Sequence, residues 1–296
     1  LPAATGITNG ISNFYFKSGS AALVADELFT LRGEEVTRDV QFPAKTDQTL
    51  PFHDAIRVED VSFTYPHTDE RALSEIRLEI QRGTMVGFVG RTGSGKSTLV
   101  DVMLGLLEPD GGRVTVDGQD ILQERRLWWN MVGFVPQSIY LTDDTIRANV
   151  AFGIPAGEVD DERVWDCLRL AQLAEMVQGL DHTTDTKVGE RGVRLSGGER
   201  QRIGLARALY FEPDVLIIDE GTSALDNRTE SDLMASLDRL RNDHTIVLVA
   251  HRLSTVENCD RIHVFESGRI VDSGRYSELL KGSSAFRYLA NVPEGS

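Results

Sequence analysis

Two hydrophobic rhythms divide the chain. From Ala55 onward, AIRVEDVSFTY and IRLEI alternate apolar and polar residues, the pattern of half-buried antiparallel strands. MVGFVG is a short apolar run ending in glycine, as a buried strand entering a turn would be, and GRVTVDG and MVGFVP continue the strand pattern. From about Thr142 to Leu209 the period lengthens, and DDERVWDCLRLAQLAEMV and GGERQRIGLARALY space their apolar residues as helices do. Strands return in VLIID, TIVLVA and RIHVF, with a helix, TESDLMASLDRLRN, between the first two. This order predicts an α/β fold with a parallel-sheet core, an antiparallel β subdomain at its start and an inserted helical subdomain over residues 142–209.

The segments outside this pattern read differently. Residues 32–54 are polar, carry two prolines (Pro43 and Pro51) and hold no period, which predicts a linker. Residues 1–31 are semi-apolar and then amphipathic, as a docking helix or a leader would be, and residues 291–296 form a short tail after a domain spanning 55–290. The chain starts at Leu1 without a signal-peptide pattern and is expected to be a fragment or a processed product. No apolar run reaches the roughly 18 residues that a membrane-spanning helix needs.

Composition changes the picture in one respect. The 296 residues carry a net charge of −15, which argues against a surface built for nucleic acid or anionic lipid. Any anionic ligand must be held by local groups working against the global field. The two cysteines, Cys167 and Cys259, give neither a disulfide framework nor a zinc spacing.

Local chemistry is concentrated at a few places. Gly90, Arg91, Thr92, Gly93, Ser94, Gly95, Lys96 and Ser97 fit G-x-x-x-x-G-K-[ST], with an apolar strand before them and a helical pattern from Thr98 after them. The glycines let backbone N–H groups surround a phosphate, Lys96 supplies charge, and the Ser97 hydroxyl suits Mg²⁺. DVLIIDE puts Asp219 and Glu220 at the C-terminal end of a buried strand, the end at which a parallel sheet offers ligands. Two adjacent carboxylates there need a cation, with Asp219 reaching it and Glu220 left to polarise a water. Taken singly, His251 after TIVLVA reads as a hydrogen-bonded strand terminus or a catalyst. Gln137 after GFVP is a weak donor and acceptor, and Tyr65 is a core aromatic or a ligand. Ser196, Gly197 and Gly198 open an Arg-rich helix whose free N–H groups form a second anion site.

The order of these motifs resembles the nucleotide-binding domain of ATP-binding-cassette (ABC) transporters, from about Ala55 to Leu289. The resemblance implies a P-loop NTPase core and the cofactors ATP and Mg²⁺. It implies that Tyr65 stacks on adenine, that Gly90 to Ser97 with Thr98 hold the phosphates, and that Ser97, Gln137 and Asp219 surround the metal. Glu220 would position the attacking water, His251 would contact the γ-phosphate, and Gln137 would link the metal site to the helical block. Leu195, Ser196, Gly197, Gly198 and Glu199 form the signature, which in this family caps the ATP of a second domain. Ser223, Ala224, Leu225 and Asp226 form the D-loop, and Val188 to Gly192 (VGERG) resemble the short loop of exporters. Gly221 departs from the usual alanine without removing a functional group.

Implied partners are a second nucleotide-binding domain, read as an identical copy, and the membrane domain of the same transporter, at the cytoplasmic face of the inner membrane. Residues 1–31 would be the cytoplasmic end of its last transmembrane helix. LVDVMLGLLEP, VPQSIYLTDDTIRANVAFG and SALDNRTE resemble bacterial half-transporters that flip lipid-linked oligosaccharides or export polysaccharide. Two other readings stand beside the exporter. One is a soluble ABC ATPase acting on nucleic acid or ribosomes, which the acidic charge, the single cassette and the absence of heptads between Lys96 and Asp219 disfavour. The other is a regulatory module that binds ATP without hydrolysing it, which Glu220 and His251 disfavour.

Overall fold

The structure, a computed structural model, describes residues 48–189, 195–219, 227–241, 243–250 and 252–290. The expectations for residues 1–31, for the tail at 291–296, for most of the linker and for most of the VGERG loop lie outside the described residues. A compact unit begins at Gln48, before the expected start at Ala55. The reason is packing. Leu50 and Phe52 are buried in the core, and the carboxylate of Asp117 accepts the backbone N–H groups of His53, Asp54 and Ala55. Those three bonds hold the Asp117 carboxyl below its usual pKa against the opposing pull of desolvation.

In chain order the unit runs β1 (Ala55–Thr64), β2 (Arg71–Gln81), β3 (Met85–Gly90), α1 (Lys96–Met103), β4 (Gly111–Val116), β5 (Gln119–Asp120), α2 (Arg125–Asn130) and β6 (Val132–Val135). A helical block follows, with α3 (Ile146–Val150), α4 (Asp161–Leu170), α5 (Ala174–Gln178) and α6 (Gly197–Leu209). The chain closes with β7 (Val215–Asp219), α7 (Asn227–Leu240), β8 (Thr245–Ala250), β9 (Arg261–Glu266), β10 (Arg269–Gly274), α8 (Tyr276–Gly282) and α9 (Ser284–Leu289). The four-stranded sheet has the order β2-β1-β4-β5 and is antiparallel throughout. The six-stranded sheet has the order β10-β9-β3-β8-β7-β6, parallel except for β10.

The two-residue period of the central strands sorts their side chains into two cores. Met85 and Val89 of β3, Leu216 and Ile218 of β7, and Ile246 and Leu248 of β8 face the core shared with the helical block. Val86, Phe88, Val215, Ile217, Val247 and Val249 face the core shared with the antiparallel sheet. Burial on both faces explains why β3, β7 and β8 read as nearly continuous apolar runs.

Two departures from the sequence pattern have local causes. The helical run DDERVWDCLRLAQLAEMV breaks into α4 and α5 because Gln172 adopts φ 55°, while Leu173 N–H returns to Leu168 C=O at 2.8 Å and Gln172 N–H to Arg169 C=O at 3.1 Å. That pair of bonds is the left-handed helix ending of the Schellman type. The strand β10 was not expected. Ser267 and Gly268, with φ 47° and 73°, make a tight two-residue turn that returns the chain against β9.

Candidate functional site

The register of the parallel sheet brings the motif-bearing strand ends to one edge. Asp219 pairs with Val249, Val89 with Ala250, Ile218 with Val135, and Gly90 with Phe265. The loop after β3, the end of β7 and the segment after β6 therefore share the C-terminal rim of the sheet. β8 lies between the strand leading to the loop and the strand ending at Asp219, about two strand spacings of 4.7–4.9 Å apart.

At this rim Tyr65, Ala72, residues 92–98 and Gln137 line a cleft of about 420 Å³. Gly95 shapes its floor. It caps α1 at φ 101°, and a Cβ there would lie 2.7 Å from the Ala72 carbonyl oxygen. No side chain caps this helix and no acidic residue occupies its first turn, so its N–H groups and positive dipole end open on the cleft. Lys96 is only 4 % exposed. Its ammonium donates to the Gly90 and Arg91 carbonyls at 2.9 and 3.0 Å and lies 3.4 Å from Ser94 Oγ. A phosphate in the cradle would meet a loop already drawn around its own cation. Ser97 is exposed, while Ser94 and Thr98 are buried.

The loop is also fastened from outside. Gly268 N–H donates to Ser94 C=O at 3.1 Å, and Ser74 N–H donates to Gly268 C=O at 2.8 Å. The β9–β10 turn thus ties the phosphate cradle to the antiparallel sheet. That sheet presents Tyr65, 40 % exposed, with its hydroxyl 3.2 Å from Thr98 Oγ1 and its ring edge-on to Phe63 at 5.0 Å. One edge of the Tyr65 ring is fixed in place and the rest is left for a ligand.

Beneath the cradle lies His263 of β9, packed edge-on against Phe88 of β3 and hydrogen-bonded through Nδ1 to Ser273 Oγ at 2.7 Å. Burial, and secondarily the charge of Arg261, push its pKa down to about 4, so the ring is neutral at physiological pH.

The signature residues stand apart. Among the described residues, none of Leu195, Ser196, Gly197, Gly198 and Glu199 lines this cleft. They start α6. Ser196 Oγ accepts the Glu199 N–H at 3.2 Å, and the Glu199 carboxylate accepts the Ser196 N–H at 2.7 Å. This reciprocal capping box leaves the Gly197 and Gly198 N–H groups, at the first two helical positions, without intrahelical acceptors. Ser196 is exposed, Gly198 is buried, and Leu195 packs on the helical core. Glu220, Ser223, Ala224, Leu225, Asp226 and His251 lie outside the described residues, as does Gly221. The structure adds Ala72, which the sequence did not single out. Its contribution is a small side chain and a backbone carbonyl, and neither leaves a mark on residue pattern.

Ser97, Gln137 and Asp219 offer a hydroxyl, an amide oxygen and a carboxylate. Such a set of hard oxygen donors suits Mg²⁺ better than zinc or copper.

Comparison with known proteins accords with this geometry. The chain is 40 % identical over 283 residues, 95 % of its length, to the ATP-dependent lipid A-core flippase of Bordetella pertussis, covering 45 % of that protein. It is 37 % identical over 300 aligned residues to the flippase of the same name from Vibrio vulnificus, covering 49 % of it. The chain thus spans about half the length of these curated relatives. A solved bacterial Atm1-family ABC exporter with ATP bound superposes with a TM-score of 0.78 at 32 % identity, over 90 % of this chain and 47 % of that one. Residues 73–223 match the ABC transporter family. The fold is that of an ABC-type P-loop ATPase domain, and the chain belongs to the ABC transporter family.

Proposed function

We propose that the chain is the ATP-binding and ATP-hydrolysing motor domain of an exporter or flippase, working as a pair of domains around two ATP molecules. The observation that carries this reading is the separation of two anion-ready helix starts. One, at Gly95, opens into a cleft with Tyr65 and Gln137; the other, at Ser196, lines no part of that cleft. A second copy facing head to tail would bring its Ser196, Gly197 and Gly198 against the phosphates held by the first.

In this reading Tyr65 stacks on the adenine, Gly90 to Thr98 surround the phosphates, and the Lys96 ammonium moves from the Gly90 and Arg91 carbonyls toward the β and γ phosphates. Ser97, Gln137 and Asp219 would hold Mg²⁺, which when bound neutralises charge on the phosphates. Glu220 orients the attacking water, and His251 contacts the γ-phosphate. The Gly197 and Gly198 N–H groups of the second copy then stabilise charge that grows as the γ-phosphoryl transfers. Cleavage removes the group that both copies share, so the pair separates.

The likeness to lipid A-core flippases supports a membrane domain as partner and an amphipathic, saccharide-bearing lipid as cargo, at the cytoplasmic face of a membrane. Cargo recognition would fall to that membrane domain; among the described residues no helix is long and apolar enough to cross a bilayer. The test is phosphate release from ATP. Turnover per molecule should rise with protein concentration and vanish in Lys96→Ala. Concentration-independent turnover with only monomer in light scattering would defeat the paired reading.

A further inference from the structure

The segment just past Gln137 is fastened to α6 by a half-buried polar hub centred on Asn149. Arg207, near the C-terminal end of α6, donates through Nη1 to the Tyr140 carbonyl at 2.9 Å. Through Nε it donates to the Asn149 carbonyl at 2.8 Å, and through Nη2 to Asn149 Oδ1 at 3.0 Å. Its guanidinium lies 4.8 Å from the centroid of the Phe152 ring. Asn149 is fully buried, and its amide is saturated. Besides Arg207, Oδ1 accepts the Thr142 N–H and hydroxyl, while Nδ2 donates to the Thr142 and Thr145 carbonyls. A second fastening lies one helical turn earlier. Gly204 lets Ile139 approach so closely that a Cβ on residue 204 would sit 2.5 Å from Ile139 Cδ1.

These contacts join the two halves of the proposed site. One end of the connection is Gln137, which lines the nucleotide cleft; the other is the start of α6, where Ser196 and Gly197 lie. Between them runs α6, about 16 Å from Arg207 to Ser196 at 1.5 Å per residue. A planar guanidinium bonded to two segments at once fixes their relative orientation, which a flexible point charge does not. Hydration of the free groups would otherwise favour their separation, because every acceptor in the hub is a strong backbone or amide oxygen.

We propose that Arg207 is a positioning residue for turnover: through Asn149 and the Tyr140 carbonyl it locks the Gln137 segment to the signature helix, so that occupation of one chain's cleft sets the angle at which Ser196 to Gly198 are offered to another. The inference rests on the ATPase reading above and names the element that transmits it. Arg207 touches neither nucleotide nor phosphate and acts through the helix.

The experiment measures ATP affinity, turnover at saturating ATP and thermal midpoint for the 296-residue chain and five variants. Arg207→Met should keep ATP affinity within about twofold while turnover per folded molecule falls about tenfold, the range expected when a coupling contact is lost. Arg207→Lys, able to serve one segment at a time, should fall between. Gly204→Ala pushes Ile139 off the helix and should likewise lower turnover at unchanged affinity; adding Ile139→Val, which removes the colliding Cδ1, should restore most of it. The proposal is overturned if Arg207→Met turns over like the unmodified chain once corrected for folded fraction. Should that variant fail to fold, the glycine pair decides, and a Gly204→Ala loss that Ile139→Val leaves unrelieved overturns it. If the unmodified chain hydrolyses ATP and Lys96→Ala does not, either result bears on the hub alone; an unmodified chain without turnover overturns the ATPase reading and the hub together.

Discussion

The two helix starts at Gly95 and Ser196 look alike in sequence, each a serine and two glycines with a basic residue within two positions, yet they are built in opposite ways. At α1 the cap is a glycine in the left-handed region, no side chain covers the N–H groups, and the first turn carries a lysine. At α6 a serine and a glutamate close on each other, and the glutamate puts a negative charge into the first turn. The first arrangement can hold a phosphate unaided. The second offers two N–H groups beside a carboxylate, which weakens it as an independent anion site and suits it to complete a site whose anion is already held. In the proposed pairing the half-closed start binds in company and the open one binds alone.

That asymmetry can be broken most directly at the open end. Lys96→Ala should reduce ATP affinity by a factor on the order of a hundred, as loss of a charge-assisted phosphate contact in a water-poor loop implies, read by titration with a fluorescent ATP analogue. Glu220→Gln should instead keep affinity and lose turnover about a hundredfold or more, the usual worth of a positioned base, read by phosphate release. Equal loss of affinity in both would remove the division of labour between holding and hydrolysing.

The next effect concerns the strand beneath the open end. His263 is held neutral by burial, with its pKa lowered to about 4 against about 6.5 in the unfolded chain. The unfolded state therefore binds the extra proton first. Stability is fully present above about pH 6.5 and is lost as pH falls toward 4, amounting to about 2 kcal/mol by pH 5. Denaturant titration at pH 7 and pH 5 should show this loss shrinking in His263→Gln. An unchanged acid dependence would mean that His263 is accessible to protons in the folded state.

Tyr65→Ala should weaken ATP binding about tenfold, since base–aromatic stacking contributes roughly 1–3 kcal/mol, while Tyr65→Phe should lose little beyond the hydroxyl contact to Thr98. The smallest effect is expected at the closed end. Ser196→Ala should cost about 1 kcal/mol of stability through its lost cap, seen as a lower thermal midpoint, with ATP affinity of the single chain unchanged. If Ser196→Ala weakens ATP binding as Lys96→Ala does, the two helix starts serve the same nucleotide of the same chain and the contrast collapses.

Legibility in the sequence followed the same divide between local and assembled features. The cradle was readable because Gly90 to Ser97 are contiguous and each residue type answers one demand of a phosphate. The parallel core was readable because strands buried on both faces leave continuous apolar runs. Tyr65 and Gln137 were readable only in combination, since each alone fits a bland role. Ala72 left no trace, because its carbonyl contacts Gly95 and backbone has no sequence signature. The same holds for the Arg207 hub, whose acceptors are mostly main-chain oxygens. The break at Gln172 depends on a left-handed residue that is not glycine, and β10 on a turn whose strand is short and half polar. In both, tertiary packing decided what local pattern left open.

The fastening of the phosphate loop has a consequence for how the domain is made. Gly90 pairs with Phe265, and Gly268 bridges Ser94 and Ser74, so the cradle is held by partners that lie some 175 positions downstream in a chain of 296. A nascent polypeptide exposes the whole GRTGSGKST run long before the strand and turn that shape it have been synthesised, and contacts of such sequence separation form late. Nucleotide can reward the completed fold but cannot template its first half. The affinity for ATP thus acts as a check on assembly: only a chain that has closed its C-terminal hairpin onto the loop can be stabilised by the ligand it is built to hold.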